Sequence, residues 1–302
     1  MKKYLPIIAI IFAALLWSLD GFLRQELYSV SSFLIVAIEH TLGAIVFLPF
    51  LIRRKHEIAA MGQRAWSSIF WISVFGGLLG LFFYTKALSY INYIDLSVVV
   101  LLQKFQPLFA ISLAAVVLKE KLSRRFLVLA GLAILGGYFV TFGLNPIAGG
   151  DDKTIIAALL ALLAAFCWGS STVLGKSALN KLSFPVVTAL RLSVTAIISL
   201  VVLLAMRGYS EFALVTFTQW KIIFLIVFTT GSVALFIYYY GLKNVRASHA
   251  TIYELFWPLS AVAIDALRGR VLSPVQIIGG LVLITSIILL TKEQQKGNGK
   301  PK

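Results

Sequence analysis

Charge is scarce in this chain of 302 residues. Only 13% are Asp, Glu, Lys or Arg, against 60% hydrophobic. Soluble domains carry about 25% charged and about 45–50% apolar residues. The deficit excludes a soluble globular enzyme and points to an integral membrane protein. Cysteine is nearly absent too: Cys167 stands alone, so no intrachain disulfide can form. Acidic residues number 12 against 27 Lys and Arg, for a net charge of +15. Such a balance can signal nucleic acid, yet no basic cluster sits on a soluble module. Membrane proteins collect Lys and Arg in cytoplasmic loops, and that accounts for the excess here. Catalytic signatures are also missing. There is no Walker A loop and no Gly-x-Ser-x-Gly, and His40, His56 and His249 stand at no metal-ligand spacing. No cofactor or metal site is expected.

What is abundant is long apolar runs. A spanning helix takes about 20 apolar residues. Runs bounded by charge, Pro or Gly fall at 4–23, 32–52, 67–88, 94–118, 124–143, 154–176, 184–206, 219–242, 247–267 and 274–291. They predict an all-α membrane protein with ten transmembrane helices and no room for a sizeable soluble domain. The first run reaches Leu19, longer than a signal-peptide h-region, and no small-residue cleavage site follows it. Residues 293–302 are rich in Lys, Gln, Gly and Asn and are expected to be a disordered cytoplasmic tail. With the N-terminus inside, 18 of the 27 Lys and Arg fall in inner segments and seven in outer ones. That asymmetry predicts both termini in the cytoplasm, in a multi-pass protein of the cytoplasmic (inner) membrane.

The chain also repeats itself. Leu15-Leu16-Trp17-Ser18 is similar to Phe166-Cys167-Trp168-Gly169, 151 residues on. Ala37-Ile38-Glu39 aligns with Ala189-Leu190-Arg191, and Leu81-Phe82-Phe83-Tyr84 with Leu235-Phe236-Ile237-Tyr238. Phe105-Gln106-Pro107-Leu108 aligns with Phe256-Trp257-Pro258-Leu259. The offset stays between 150 and 154 throughout. Residues 1–145 and 154–292 thus read as two five-helix repeats. An odd number of helices inserts the second repeat upside down relative to the first, as in many transporters.

These features resemble the drug/metabolite transporter superfamily, and within it the EamA type. The resemblance rests on the two five-helix halves, the Trp in the first helix of each, and the Pro in the fourth. Gln106-Pro107-Leu108-Phe109-Ala110 followed by Leu118-Lys119-Glu120-Lys121-Leu122-Ser123 looks like that family's Pro-to-Glu signature. In the second half Trp257-Pro258-Leu259-Ser260-Ala261 matches the Pro part, while Arg270 stands where Glu is expected. The resemblance covers essentially the whole chain. It implies a central cavity, alternating access and a small organic substrate, without saying which.

Charges inside a span are costly and mark functional candidates. Glu39, Lys104, Arg191 and Glu254 qualify, and Gln103 is the repeat counterpart of Glu254. Glu39 lies about 10 Å in from the outer end of its helix at 1.5 Å per residue, and Arg191 about as deep from the inner end. The expected pairs are therefore Glu39 with Lys104 and Arg191 with Glu254. Such pairs either lock helices together or line a cavity and exchange partners with substrate or protons. Pro107 and Pro258 lack the N–H that would bond the carbonyls of Gln103 and Glu254. Each is expected to kink its helix and free a carbonyl beside a polar side chain. Trp17 and Trp168 either pack the core or wall the cavity, and Trp257 precedes the second kink. His40 is either a satisfied polar group or a proton carrier. Asp20 reads as an interface residue. Tyr84 and Tyr238-Tyr239-Tyr240 read as members of an aromatic belt, and Lys86 and Lys176 as snorkelling lysines. Gly76 with Gly80, and Gly136, Gly137, Gly279 and Gly280, suggest close helix packing, with a homodimer contact through the last two.

The expected activity is secondary transport of a small metabolite such as an amino acid or amine. An acid and a base together suit a zwitterion; Trp with a carboxylate suits a cationic amine. The partners expected are the substrate and the lipid bilayer. The alternative is an intramembrane enzyme or lipid-handling protein, for which no catalytic constellation at one depth is found.

Overall fold

The computed structural model describes residues 4–27, 29–90, 102–103, 105–144, 152–267, 269 and 271–298. Among these every regular element is helical. Seven helices are long and apolar enough to cross a membrane: Ser32–Arg53, Gln63–Ala87, Arg124–Phe142, Ile155–Leu179, Phe184–Ala205, Phe217–Asn244 and Pro274–Glu293. Leu5–Asp20 and Gln106–Val117 are shorter apolar helices. Helix α1 (Leu5–Gln25) and α2 (Ser32–Arg53) lead into the short α3 (Lys55–Ala59). Of the run expected at 94–118, residues 102–103 and 105–118 are described, while 94–101 and Lys104 lie outside the described residues.

Three of the apolar runs are not continuous α-helices. The first comprises α4 (Gln63–Trp71), a π-helical stretch Ile72–Leu79, and α5 (Gly80–Tyr90). Such wider π turns inside α-helices are frequent at functional sites. Further on come α6 (Gln106–Val117), α7 (Arg124–Phe142), α8 (Asp152–Leu179) and α9 (Phe184–Ala205). The next run breaks at Thr229–Gly231 between α10 (Phe217–Phe228) and α11 (Ser232–Asn244). The run at 247–267 breaks at Glu254 and Leu255 between α12 (Ala247–Tyr253) and α13 (Phe256–Leu267). Pro107 and Pro258 therefore sit in the first turns of α6 and α13, where a missing N–H costs nothing. The Glu254 carbonyl is not freed as expected: Trp257 N–H donates to it at 2.9 Å in a tighter turn.

Packing joins the two halves of the chain reciprocally. α2 lies along α9, α1 along α11 and α5 along α8. α7 packs on the last helix, α14 (Pro274–Asn298). The α7–α14 seam needs glycine. A Cβ on Gly136 would lie 2.8 Å from the Gly279 carbonyl, and one on Gly279 2.9 Å from the Val140 nitrogen. Gly280 faces Leu259 and Val140. The two glycines suggested for a dimer contact are thus occupied within one chain. The tail also differs from expectation: α14 continues to Asn298, carried by the helix formers Glu293-Gln294-Gln295-Lys296. Residues 299–302 lie outside the described residues.

Lys176 does not snorkel. Its ammonium donates to the Leu242 carbonyl at 2.9 Å and the Lys243 carbonyl at 2.7 Å, where α11 ends. A cation there answers the negative end of the helix dipole. Two carboxylates do the converse at helix starts. Glu57 accepts from the Ser183 amide at 2.8 Å, just before α9. Glu120, from the Pro-to-Glu signature, accepts from the amides of Ala247 at 2.8 Å and Ser248 at 3.2 Å, where α12 begins. Burial alone would push the Glu57 carboxyl up. The bonds from Ser183 and Arg54 outweigh burial and hold it below its ordinary value.

Candidate functional site

A cavity of about 270 Å³ lies between the halves. The three matched or kink-adjacent tryptophans, Trp17, Trp168 and Trp257, are on its wall. So are Glu39, His40, Gln103, Arg191 and Glu254. Pro107 and Pro258 complete the set, so every described residue named as a binding, coupling or kink candidate lines this cavity. Lys104 is outside the described residues. Among the described residues, no three His, Cys, Asp or Glu gather as metal ligands.

The charges do not pair as expected. Glu39 on α2 meets Arg24 on α1, with Nη2 donating to Oε2 at 3.0 Å. The same guanidinium bonds Asp20 through Nε, one turn back on α1. Asp20 in turn accepts from the Thr230 hydroxyl at 2.6 Å, inside the break between α10 and α11. One cation thus holds two acids, and the acids tie α1 to α2 and to the opposite half. Glu39 keeps Oε1 unpartnered among the described residues. Next to it, His40 Nδ1 lies 2.9 Å from the Val36 carbonyl. A carbonyl only accepts, so Nδ1 carries a proton.

Glu254 pairs with neither Arg191 nor any other described cation. Its Oε1 accepts from the Tyr238 hydroxyl at 2.5 Å and its Oε2 from Gln106 Nε2 at 2.7 Å. The Tyr238 hydroxyl also bonds Thr172 at 3.1 Å. This network spans α6, α8, α11 and the α12–α13 break, and both carboxylate oxygens are occupied. Arg191 instead donates from Nη1 to the Tyr239 hydroxyl at 2.7 Å. Two adjacent tyrosines on α11 therefore take the places that an Arg191–Glu254 pair would hold.

Tyr238 and Tyr239 are 4% and 0% exposed, which removes them from any aromatic belt. Both line the cavity, as does Tyr84. Tyr238 packs on Trp17 with ring centroids 5.1 Å apart, and Tyr84 on Trp168 at 5.4 Å. The repeat alignment relates Trp17 to Trp168 and Tyr84 to Tyr238, so the two pairs are counterparts. Each joins the first helix of one half to the third of the other.

Five residues that line the cavity each carry a buried polar atom with no partner among the described residues. These atoms are Glu39 Oε1, Gln103 Oε1, Ser171 Oγ, Arg191 Nε and Thr251 Oγ1. Buried polar groups are nearly always satisfied. A concentration of open donors and acceptors between aromatic pairs is what a ligand with its own polar groups would complete. Sequence reading missed Arg24, Ser171 and Gln106. Arg24 had a signal, its i,i+4 spacing from Asp20.

The profile described as the EamA-like transporter family matches residues 4–142 and again residues 155–292. A curated relative, the riboflavin transporter ImpX of Fusobacterium nucleatum subsp. nucleatum, is 40% identical over 286 residues. The match covers 93% of this chain and 95% of that protein. A solved crystal structure aligns with a TM-score of 0.75 at 18% identity, covering 96% of this chain and 98% of that one, and so shares the fold.

Proposed function

The chain belongs to the EamA-like transporter family, and on that premise we propose that it carries a flavin, riboflavin first, through the central cavity by alternating access. It is a multi-pass membrane transporter and not an enzyme. The name of the 40% identical relative supplies the candidate substrate. The observation that carries the reading is the two matched Trp–Tyr pairs on the cavity wall. A flat tricyclic ring offers such pairs a large stacking area, and the unpartnered donors and acceptors suit its polar edge and polyol chain. A flavin takes the place of the amino acid or amine expected from the charges alone.

Reciprocal packing supports two inverted halves. First helices lie on third helices of the opposite half, second on second and fifth on fifth. The offset of 154 that relates Tyr84 to Tyr238 also relates Gly76-Gly77, in the π stretch, to Thr230-Gly231, in the α10–α11 break. Matched irregularities of this kind are where helices would bend as access alternates. The Lys and Arg count supports both termini in the cytoplasm and insertion in the cytoplasmic membrane. Of the two carboxylates expected to couple protons, Glu39 has the open oxygen, so coupling is proposed there.

The test is binding to purified protein in detergent, read as quenching of flavin fluorescence. Riboflavin is expected to quench saturably and to raise the unfolding temperature by mass action. Trp17→Ala and Trp168→Ala are each expected to weaken binding about two- to tenfold, since a stacked aromatic pair contributes about 0.5–1.5 kcal/mol beyond its buried area. Absence of both quenching and stabilisation would sink the flavin reading and leave family membership standing.

A further inference from the structure

Resting on the flavin reading, we infer that the ligand binds in one orientation. Its pyrimidine-dione edge faces a donor pocket made by Arg191 and Ser171 over Gly76, and its ribityl chain faces Glu39 and Asp20.

The donor pocket is built by three elements. Arg191 on α9 spends Nη1 on Tyr239 and keeps Nε without a partner among the described residues. Ser171 on α8 keeps its hydroxyl open in the same way. Both converge on the π stretch. A Cβ on Gly76 would lie 2.1 Å from Ser171 Oγ and 3.0 Å from Arg191 Nη2. The missing side chain is what lets Ser171 Oγ and Arg191 Nη2, on the same guanidinium as the open Nε, approach one point on the π stretch. Four residues on, a Cβ on Gly80 would lie 2.7 Å from Trp168 Nε1. Residues four apart share a helix face, so the donor pocket adjoins the Trp168–Tyr84 wall.

The ligand's two ends ask for opposite partners. The dione edge presents two carbonyl oxygens around a single N–H, so it needs donors. A guanidinium N–H beside a hydroxyl supplies them, and the charge strengthens the bonds. The ribityl chain carries hydroxyls that can donate, and Glu39 Oε1 is an open acceptor held by the Arg24–Asp20 cluster. The reverse orientation would set carbonyl oxygens against carboxylates and leave Arg191 Nε buried without an acceptor. An unmade buried bond is costly.

Riboflavin and lumiflavin distinguish the two ends, since lumiflavin keeps the ring and dione but has a methyl in place of ribityl. Affinities are read by fluorescence quenching for wild type, Arg191→Met, Ser171→Ala and Glu39→Gln. Arg191→Met is expected to weaken both ligands by the same factor, about tenfold or more for a charged hydrogen bond. Ser171→Ala should lower both by a smaller common factor. Glu39→Gln should instead shrink the preference for riboflavin over lumiflavin. The inference is overturned if Arg191→Met and Ser171→Ala change that preference while Glu39→Gln preserves it. It is also overturned if wild type binds riboflavin and not lumiflavin, because the dione end would then contribute too little. Should Arg191→Met not fold, judged by ligand-free unfolding, Ser171→Ala decides. Wild type that binds neither flavin removes the flavin reading itself, and this orientation with it.

Discussion

Arg24 neutralises two carboxylates at the cavity wall. Its side chain is 12% exposed, beside Asp20 at 21% and Glu39 at 7%. Removing one partner of a buried ionic cluster leaves uncompensated charge and costs about 3–5 kcal/mol. Arg24→Met is therefore expected to lower the thermal unfolding midpoint markedly. The triple change Arg24→Met, Asp20→Asn, Glu39→Gln should recover most of the loss, since no charge then remains to strand. A single variant as stable as wild type would mean that water reaches the acids freely. Glu39 was legible in the sequence because an acid interrupts an apolar run, whereas Asp20 read only as an interface residue. Their partner was not legible, because the first apolar run ends before Arg24 and the residue counted as loop. The helix runs to Gln25, and its pitch turns Arg24 onto the face of Asp20. Tyr238 and Tyr239 were misplaced for a related reason. Hydropathy reports depth along a helix, while their role depends on which side of α11 they occupy.

Helices were legible where their signal is an apolar run, and the departures from regular helix were not. The break at Glu254–Leu255 had a marker in Pro258. The π stretch at Ile72–Leu79 and the break at Thr229–Gly231 had only glycines, which hydropathy does not weigh. Glycine also sets the spacing of the α7–α14 seam, and two positions on these helices separate its uses. A methyl added at Gly279 would meet Phe139 Cβ at 2.8 Å and the Val140 nitrogen at 2.9 Å. Backbone cannot yield there, so Gly279→Ala should cost about 1–3 kcal/mol, the range for overpacking. At Gly131, on α7, nothing lies within 4 Å of the added methyl. Gly131→Ala should instead stabilise by about 0.4–1 kcal/mol through the unfolded chain. Unfolding midpoints in one detergent compare the two directly. Equal effects would show that helix propensity, not contact, governs both.

Across the whole molecule, the capping carboxylates are unevenly distributed between the halves. Glu57 and Glu120 both belong to the first half, and both cap helices of the second. In the orientation proposed from the Lys and Arg count, both lie at the cytoplasmic end. The counterpart of Glu120 in the second half is Arg270, whose guanidinium has no lone pair to offer an amide. The two ends of an inverted-repeat transporter would then be held shut unequally, with the cytoplasmic end the tighter. Charged hydrogen bonds contribute about 1.5–3 kcal/mol each, enough to move a two-state balance about tenfold. Replacing both acids, Glu57→Gln with Glu120→Gln, should therefore populate the inward-open state. Cys167 is the sole cysteine and is 2% exposed, so thiol labelling has a quiet background. With Leu235→Cys as a reporter on the cavity wall, an impermeant thiol reagent outside intact cells should label the double variant more slowly than the parent. Acidification should act in the same direction. Because Glu57 is held below the ordinary carboxylate value, its contribution is present at neutral pH and is lost as pH falls through that lowered value. Glu57→Gln should remove that part of the pH response. Faster external labelling in the double variant would reverse the assignment and place the tighter closure at the outer end, where Gln219 donates to Ser29 at 2.9 Å across the halves.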